Sequence, residues 1–421
     1  MLSLLNALRF LRAQIKGLFK RINRFTCSGT VVLFDPSCLD IDGHHFALNR
    51  DTIKYCRSQK KHLRIFVNSR CNAKARYALV SEAVSAPSVY DPLPQDPHLL
   101  AEYLLSANES AYTELNRKVG QLKSGDQVLV HTASICDVLG LYHWATELSR
   151  EVQFRITLRH KPTFSGGDTV FDDEISDQIE SFYRSVFEKW KRLRSQVQFL
   201  SDSQPLAREF EKLSNFKFNV VGVQVEYFNS KPNIKTTDDL KNVPIFLFAG
   251  NARPEKGLGL LPDAIDLYFD SGRDAQIVVQ SLKFADAVVA ERLRKHSNVT
   301  ILDKSLFGQR YFDFLGQGDV VVLPYDPVYY HLRTSHIFAE SLGIGCPVIT
   351  SSGTWMEEEL SLDDRPRGII MEDYSSESLA KAMIAFHDKR HQLVPNAQEQ
   401  AMNIRSRHNS GAYLDTMFNA S

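Results

Sequence analysis

From Phe248 to Gly257 the chain reads Phe-Ala-Gly-Asn-Ala-Arg-Pro-Glu-Lys-Gly. Two of these residues, Arg253 and Lys256, are fixed cations beside a glycine turn that begins at Gly250. The apolar run 245–248 predicts a buried strand entering the turn, and the spacing over 259–269 predicts a helix leaving it. Backbone N–H groups at such a turn and the positive end of the helix dipole favour an anion, and the two side chains add charge-assisted hydrogen bonds. The chemistry this suits is the holding of a diphosphate. A solvated turn with surface charges has the same local sequence, so the turn alone leaves both readings open.

Further along, Val320-Val321-Val322-Leu323 reads as a second buried strand, followed by a polar turn, a helix around Phe338 to Leu342, and a third strand from Pro347. At the start of that helix, Arg333, Thr334 and Ser335 supply a cation, two hydroxyls and unsatisfied N–H groups, which can cap the helix, bind phosphate, or do both. The loop Ser352-Gly353-Thr354 follows the third strand.

The elements behind these residues read as α/β. In the first half, strands are expected at 30–34, 63–67, 127–131, 154–158 and 197–200, and helices at 99–120, 138–150, 175–194 and 207–213. In the second half, strands are expected at 245–248, 276–279, 299–302, 320–323, 348–349 and 368–370, with a closing helix at 378–387. Alternating strands and helices of this kind build parallel sheets covered on both faces. A chain of 421 residues suits two such domains of about 200 residues each. The polar, aperiodic stretch 227–243 is the expected linker. Doubly wound sheets bind ligands at the carboxyl ends of their strands.

Composition narrows the function classes. Acidic and basic residues number 50 each, which removes the case for a globally basic nucleic-acid binder. The six cysteines show no C-x-x-C spacing, so neither a zinc site nor a disulfide framework is indicated, and a reducing cytoplasmic setting fits. Residues 1–26 are different in character. Six basic residues and no acid lie between Arg9 and Arg24, while Leu4, Leu8, Leu11, Ile15, Leu18 and Ile22 share one helical face. A basic amphipathic helix of this pattern lies on an anionic membrane surface, packs on its own domain, or docks on a partner.

The G-x-x-R-x-E-K-G turn and the order strand, helix, Glu340, then small-Gly-x-Pro-Val resemble the C-terminal half of retaining glycosyltransferases of the GT-B fold, specifically the family 4 (group 1) enzymes. The resemblance is specific over 245–375 and general elsewhere. It implies two Rossmann-like domains facing a cleft, with domain limits at 27–226 and 244–400 and a last helix over 401–421 returning to the first domain. It implies transfer of a sugar from a nucleotide-diphospho-sugar to a hydroxyl of a glycan or lipid-linked acceptor, with retention and without a metal or other cofactor. A front-side attack assisted by the leaving phosphate goes with that mechanism. Arg253 and Lys256 then hold the donor diphosphate, and Glu340 the nucleotide ribose.

In the same pattern a glutamate stands eight residues before the ribose glutamate, where it holds the donor hexose. Here that position is Leu332. Arg333, Thr334 and Ser335, with Ser352, Gly353 and Thr354, are left to hold the donor. In the first half, Gly43, His44 and His45 follow the first strand and are candidates for the acceptor side. By order, His160 takes the place of a histidine that touches donor sugar or phosphate. His131 is a weaker candidate, and Arg159 adds charge beside His160. Asp40-x-Asp42 superficially matches a metal-binding D-x-D of another fold class. A sugar-nucleotide epimerase and a catalytically inactive scaffold remain alternatives.

Overall fold

The computed structural model describes residues 29–41, 44–165, 171–225, 243–250, 253–280, 287–304, 306 and 308–419. The helix expected over 1–26, the linker expected over 227–243 save its last residue, and Asp42 and Gly43 lie outside the described residues. The chain divides into two compact units, one of residues through Ser201 with 210–219 and 417–421, the other of 202–209 with 220–416.

The first unit is built on a seven-stranded sheet of β1 (Thr30–Asp35), β2 (His62–Asn68), β3 (Glu82–Val84), β4 (Gln127–Ala133), β5 (Gln153–Leu158), β6 (Val197–Ser201) and β7 (Phe218–Val220), in the order β3-β2-β1-β4-β5-β6-β7. Neighbours from β3 to β6 are parallel. The second unit holds β8 (Ile245–Phe248), β9 (Gln276–Gln280), β10 (Val299–Leu302), β11 (Val320–Leu323), β12 (Val348–Ser351) and β13 (Gly368–Met371), all parallel in the order β10-β9-β8-β11-β12-β13. Both orders reverse direction after their first strand, between β1 and β4 and between β8 and β11. Such a switch point opens a crevice at the carboxyl ends of the strands.

The central strands are buried along their length, as strands covered by helices on both faces must be. Phe246, Tyr268 and Phe386 pack on one face of the second sheet, and Leu247, Leu323, Phe338 and Trp355 on the other. The expected closing helix is longer than its sequence pattern suggested. It runs from Ser376 to Arg407 and passes through Pro395. Proline removes one helical hydrogen bond, but the buried Leu393, Val394, Ala397, Ala401 and Ile404 carry the helix past it. The helix His44–Ser58 has a weak apolar pattern and was not expected from spacing. In the first unit Phe418 stacks on Tyr55 with ring centroids 4.8 Å apart. No helix among the described residues is long and apolar enough to cross a membrane.

Candidate functional site

In the second unit the turn after β8 is fixed by two glycines. Gly257 has φ +76°, and a Cβ there would lie 2.0 Å from the carbonyl oxygen of Pro324, so only glycine lets the turn press against the end of β11. Asp326 N–H completes the join by donating to the carbonyl of Glu255 at 3.0 Å. Gly250 has φ +98°, and a Cβ there would meet Ile337 at 2.7 Å and Lys256 Nζ at 3.2 Å. A side chain at position 250 would press on Ile337, in the first turn of the helix His336–Gly343, and on the Lys256 ammonium.

Lys256 is half-buried, with its ammonium 5.3 Å from the ring centre of Tyr325. Burial first, and the charge of Arg253 second, push its pKa down to about 8. Glu255, Glu340 and Arg333 all lie close enough to act on its charge. Arg253 is about half exposed at its side chain and pairs through Nε with Glu255 at 2.9 Å. Arg333 lies over Tyr330 at 5.3 Å. Glu340 accepts a hydrogen bond from the Tyr311 hydroxyl at 3.0 Å. Burial pushes its pKa up to about 7, against the lowering effects of Tyr311 and Lys256. Three cations and two carboxylates, Glu255 and Glu340, thus gather at the switch point between β8 and β11. An anion placed there meets more positive charge than the site neutralises internally.

Other expected groups are near this cluster but already engaged. The Gly250 N–H donates to Gln280 Oε1 at 3.0 Å, so Gly250 serves by its missing side chain rather than by its amide. The Ser335 hydroxyl accepts from Phe338 N–H at 3.3 Å and caps the helix. Thr334 donates its hydroxyl proton to Asp202 at 3.0 Å. In the loop after β12, the Ser352 hydroxyl donates to the Glu372 carbonyl, Gly353 N–H to the Glu357 carboxylate, and the Thr354 hydroxyl to the Ser351 carbonyl. Leu332 is half-buried, and its carbonyl accepts from Ser203 at 3.3 Å.

Sequence reasoning missed Gln280, which also donates to the Lys304 carbonyl at 3.1 Å and so ties the ends of β8, β9 and β10 together. A polar residue ending an apolar strand was its one visible signal. Tyr311 left none, because it reaches Glu340 across two helices.

In the first unit the adjacent histidines part. His44 is exposed, whereas His45 is buried between Asp35 and Tyr90. His131 does not end its strand as expected. β4 continues to Ala133, and His131 inside it is 1% exposed. Burial pushes its pKa down to about 3. The Thr52 hydroxyl donates to Leu48, so the 3.0 Å bond between His131 Nε2 and that hydroxyl has the histidine as donor. Arg159 is buried just past the end of β5 and donates to the His131 carbonyl inside β4 at 2.6 Å. His160 is half-buried, stacks on Phe164 at 4.0 Å, and borders a cavity of about 10 Å³, room for one water. Among the described residues no group of His, Cys, Asp and Glu is arranged to hold a metal ion.

No protein-family model matches the chain, and no curated protein matches its sequence. Solved structures do. A glycosyltransferase from Rickettsia africae ESF-5 aligns with 93% of this chain and 99% of its own at a TM-score of 0.61 and 13% identity. The N-terminal domain of trehalose-6-phosphate phosphatase from Candida albicans aligns over 94% and 98% at a TM-score of 0.63 and 10% identity. HepE from Anabaena, crystallised with UDP-glucose, aligns over 92% and 98% at a TM-score of 0.55 and 12% identity. At such identities the likeness establishes a fold. It is the two-domain α/β architecture of GT-B glycosyltransferases.

Proposed function

We propose that this chain transfers a sugar from a nucleotide-diphospho-sugar to a hydroxyl of a glycan or lipid-linked acceptor, with retention at the anomeric carbon and without a metal. The observation that carries this reading is the convergence of Lys256, Arg253 and Arg333 with Glu340 at one switch point. A nucleoside diphosphate departs when the bond from the anomeric carbon to phosphate oxygen breaks, and negative charge grows on that oxygen. Preorganised cations in a partly desolvated site stabilise this charge without reorganising as the reaction proceeds. Glu340, held by Tyr311, offers its carboxylate to the ribose hydroxyls. HepE was crystallised with UDP-glucose, with UDP and with UDP plus glucose, which supports a donor of this class.

Retention follows from the resemblance of the second-half motifs alone. The setting is glycan, polysaccharide or glycolipid synthesis in the cytoplasm, with residues 1–25 attaching the chain to an anionic membrane surface. Two experiments test these statements. Incubation with a panel of nucleotide sugars should release nucleoside diphosphate, preceded by a thermal-shift comparison of UDP, GDP and ADP. The absence of both binding and release defeats the assignment. The intact chain should sediment with anionic vesicles less strongly as salt rises, and a chain lacking residues 1–25 should not sediment with them.

A further inference from the structure

The chain passes from the first unit into the second where β7 ends, at Val220. The residues that follow, Val221-Gly222-Val223-Gln224-Val225, are a strap without a charged side chain, and its valines are buried. The strap lies along the end of the helix Ser376–Arg407. Val225 pairs with Asn409 in an isolated parallel bridge, and a Cβ at Gly222 would lie 2.0 Å from the Arg407 carbonyl oxygen, so backbone presses on backbone there. Between these points one side chain joins helix and strap. His408, the residue that ends the helix, is 3% exposed, and its Nδ1 accepts the Val223 N–H at 3.0 Å.

That bond fixes the state of the ring. A ring nitrogen that accepts a hydrogen bond carries no proton, so His408 is neutral here and its proton is on Nε2. Nε2 faces Glu359 Oε2 at 3.5 Å. The Glu359 carboxylate is also held by Arg407 at 3.1 Å, and Arg367 donates to the Glu359 carbonyl. Trp355 meets the imidazole edge to face, with ring centroids 6.1 Å apart. Of these neighbours Glu359 favours a charged ring, and Arg407 and Arg367 oppose it. A second proton would enter at Nδ1, where the Val223 N–H already points. Two donors would then face each other, and a buried backbone N–H would lose its partner.

We propose that His408 is a pH-sensitive latch on this strap: the neutral ring holds Val221–Val225 against the helix end, and protonation releases it. The proton goes to Nδ1, the imidazolium is held by Glu359, and the Val223 N–H turns to water. The segment through which the chain enters the second unit is thereby tight at neutral pH and loose in acid. The latch uses no residue of the cation cluster at β8 and β11, and it holds whether or not the chain transfers a sugar.

Hydrogen–deuterium exchange of the full-length protein tests the latch, read by mass spectrometry at about pH 7.5 and about pH 5.5, on either side of ordinary imidazole titration. Rates are corrected for the intrinsic pH dependence of amide exchange. Peptides covering 221–225 should lose protection by about tenfold or more at the lower pH, the scale on which a one-proton equilibrium moves per pH unit. Peptides covering β8 and β11 should keep theirs. His408→Asn places an oxygen acceptor near the position of Nδ1 and cannot titrate, so its strap should stay protected at both pH values. Glu359→Gln removes the carboxylate that favours the charged ring and should move the loss to lower pH. Equal protection of the wild-type strap at the two pH values overturns the latch. So does an acid loss that His408→Asn repeats, since another group would then be titrating, and so does a loss shared by β8 and β11, which is acid unfolding of the whole unit.

Discussion

The two sheets share one strand order, yet their switch points carry opposite chemistry. At the end of β1, a buried carboxylate is ringed by His45, Asn49 and the neutral His131. At the end of β8, Lys256 lies near Arg253 and Arg333, with Glu255 and Glu340 as counter-charges. Topology accounts for the location in both cases, since a reversal of strand order opens a crevice wherever it occurs. It does not account for sign. The first point presents an imidazole and a phenol around a carboxylate, and the second presents cations with carboxylate partners. Fold alone therefore decides neither reaction nor ligand.

The sharpest way to break this contrast is to remove the charge of the second point. Lys256→Ala should lower kcat/KM for the donor by about 10- to 150-fold, the range for loss of a charge-assisted hydrogen bond. Arg253→Ala should cost less, because its side chain is half exposed and is already paired with Glu255. Steady-state kinetics on both variants decide the ranking. Equal losses would mean that Arg253 leaves Glu255 when the donor binds.

Next in size is the effect of Glu340. Glu340→Gln should weaken nucleoside diphosphate affinity by about tenfold, read by calorimetry, if the carboxylate accepts from ribose. The same variant should gain thermal stability, and the gain should grow with pH. The folded-state pKa of Glu340 is raised to about 7, so the native protein binds its proton more tightly than the unfolded chain does. Its stability contribution is therefore fully present below the unfolded value near 4.5 and is lost as pH rises through about 7. Glutamine has no such loss, and a melting-temperature difference that is the same at pH 5 and pH 8 would contradict the assignment.

A smaller effect is expected from pH on the wild type. Lys256, with its pKa lowered to about 8, loses its charge as pH rises through that value, and nucleoside diphosphate affinity should fall with it. By linkage, bound diphosphate should raise that pKa. Affinity independent of pH between 7 and 9 would leave the clamp to Arg253 and Arg333. Ser352→Ala should change donor kcat/KM by less than about twofold, since its hydroxyl is already given to the Glu372 carbonyl and surface substitutions of this kind cost little. A large loss would show that this loop rearranges around the donor.

Much of the second unit was legible from residues alone. The strands 245–248 and 320–323 have the limits their apolar runs indicate, because a strand buried on both faces must be continuously apolar and its ends must be turns. The turn from Gly250 to Gly257 was also legible, since its glycines and cations are contiguous. The helix through Pro395 was not, because the packing that carries it past the proline comes from residues far away in sequence. Nor was the separation of His44 from His45. Neighbouring residues on a helix point in different directions, and which of them is buried depends on where the helix docks.

What the sequence determined was the kind of protein: α/β alternation, two domains, and a glycine turn whose two cations lie within ten residues. Only the tertiary structure decided the rest. It placed the Lys256 ammonium beside the missing side chain of Gly250, used the hydroxyls of Thr334, Ser335, Ser352 and Thr354 and the amides of Ser352 and Gly353 for internal bonds, and joined Asp35, His45 and Tyr90 into one chain. The physical reason is range. Periodicity and turn propensity are written in neighbouring residues, whereas hydrogen-bond partners, burial and the pKa values that follow from them are set by groups brought together from distant strands and helices.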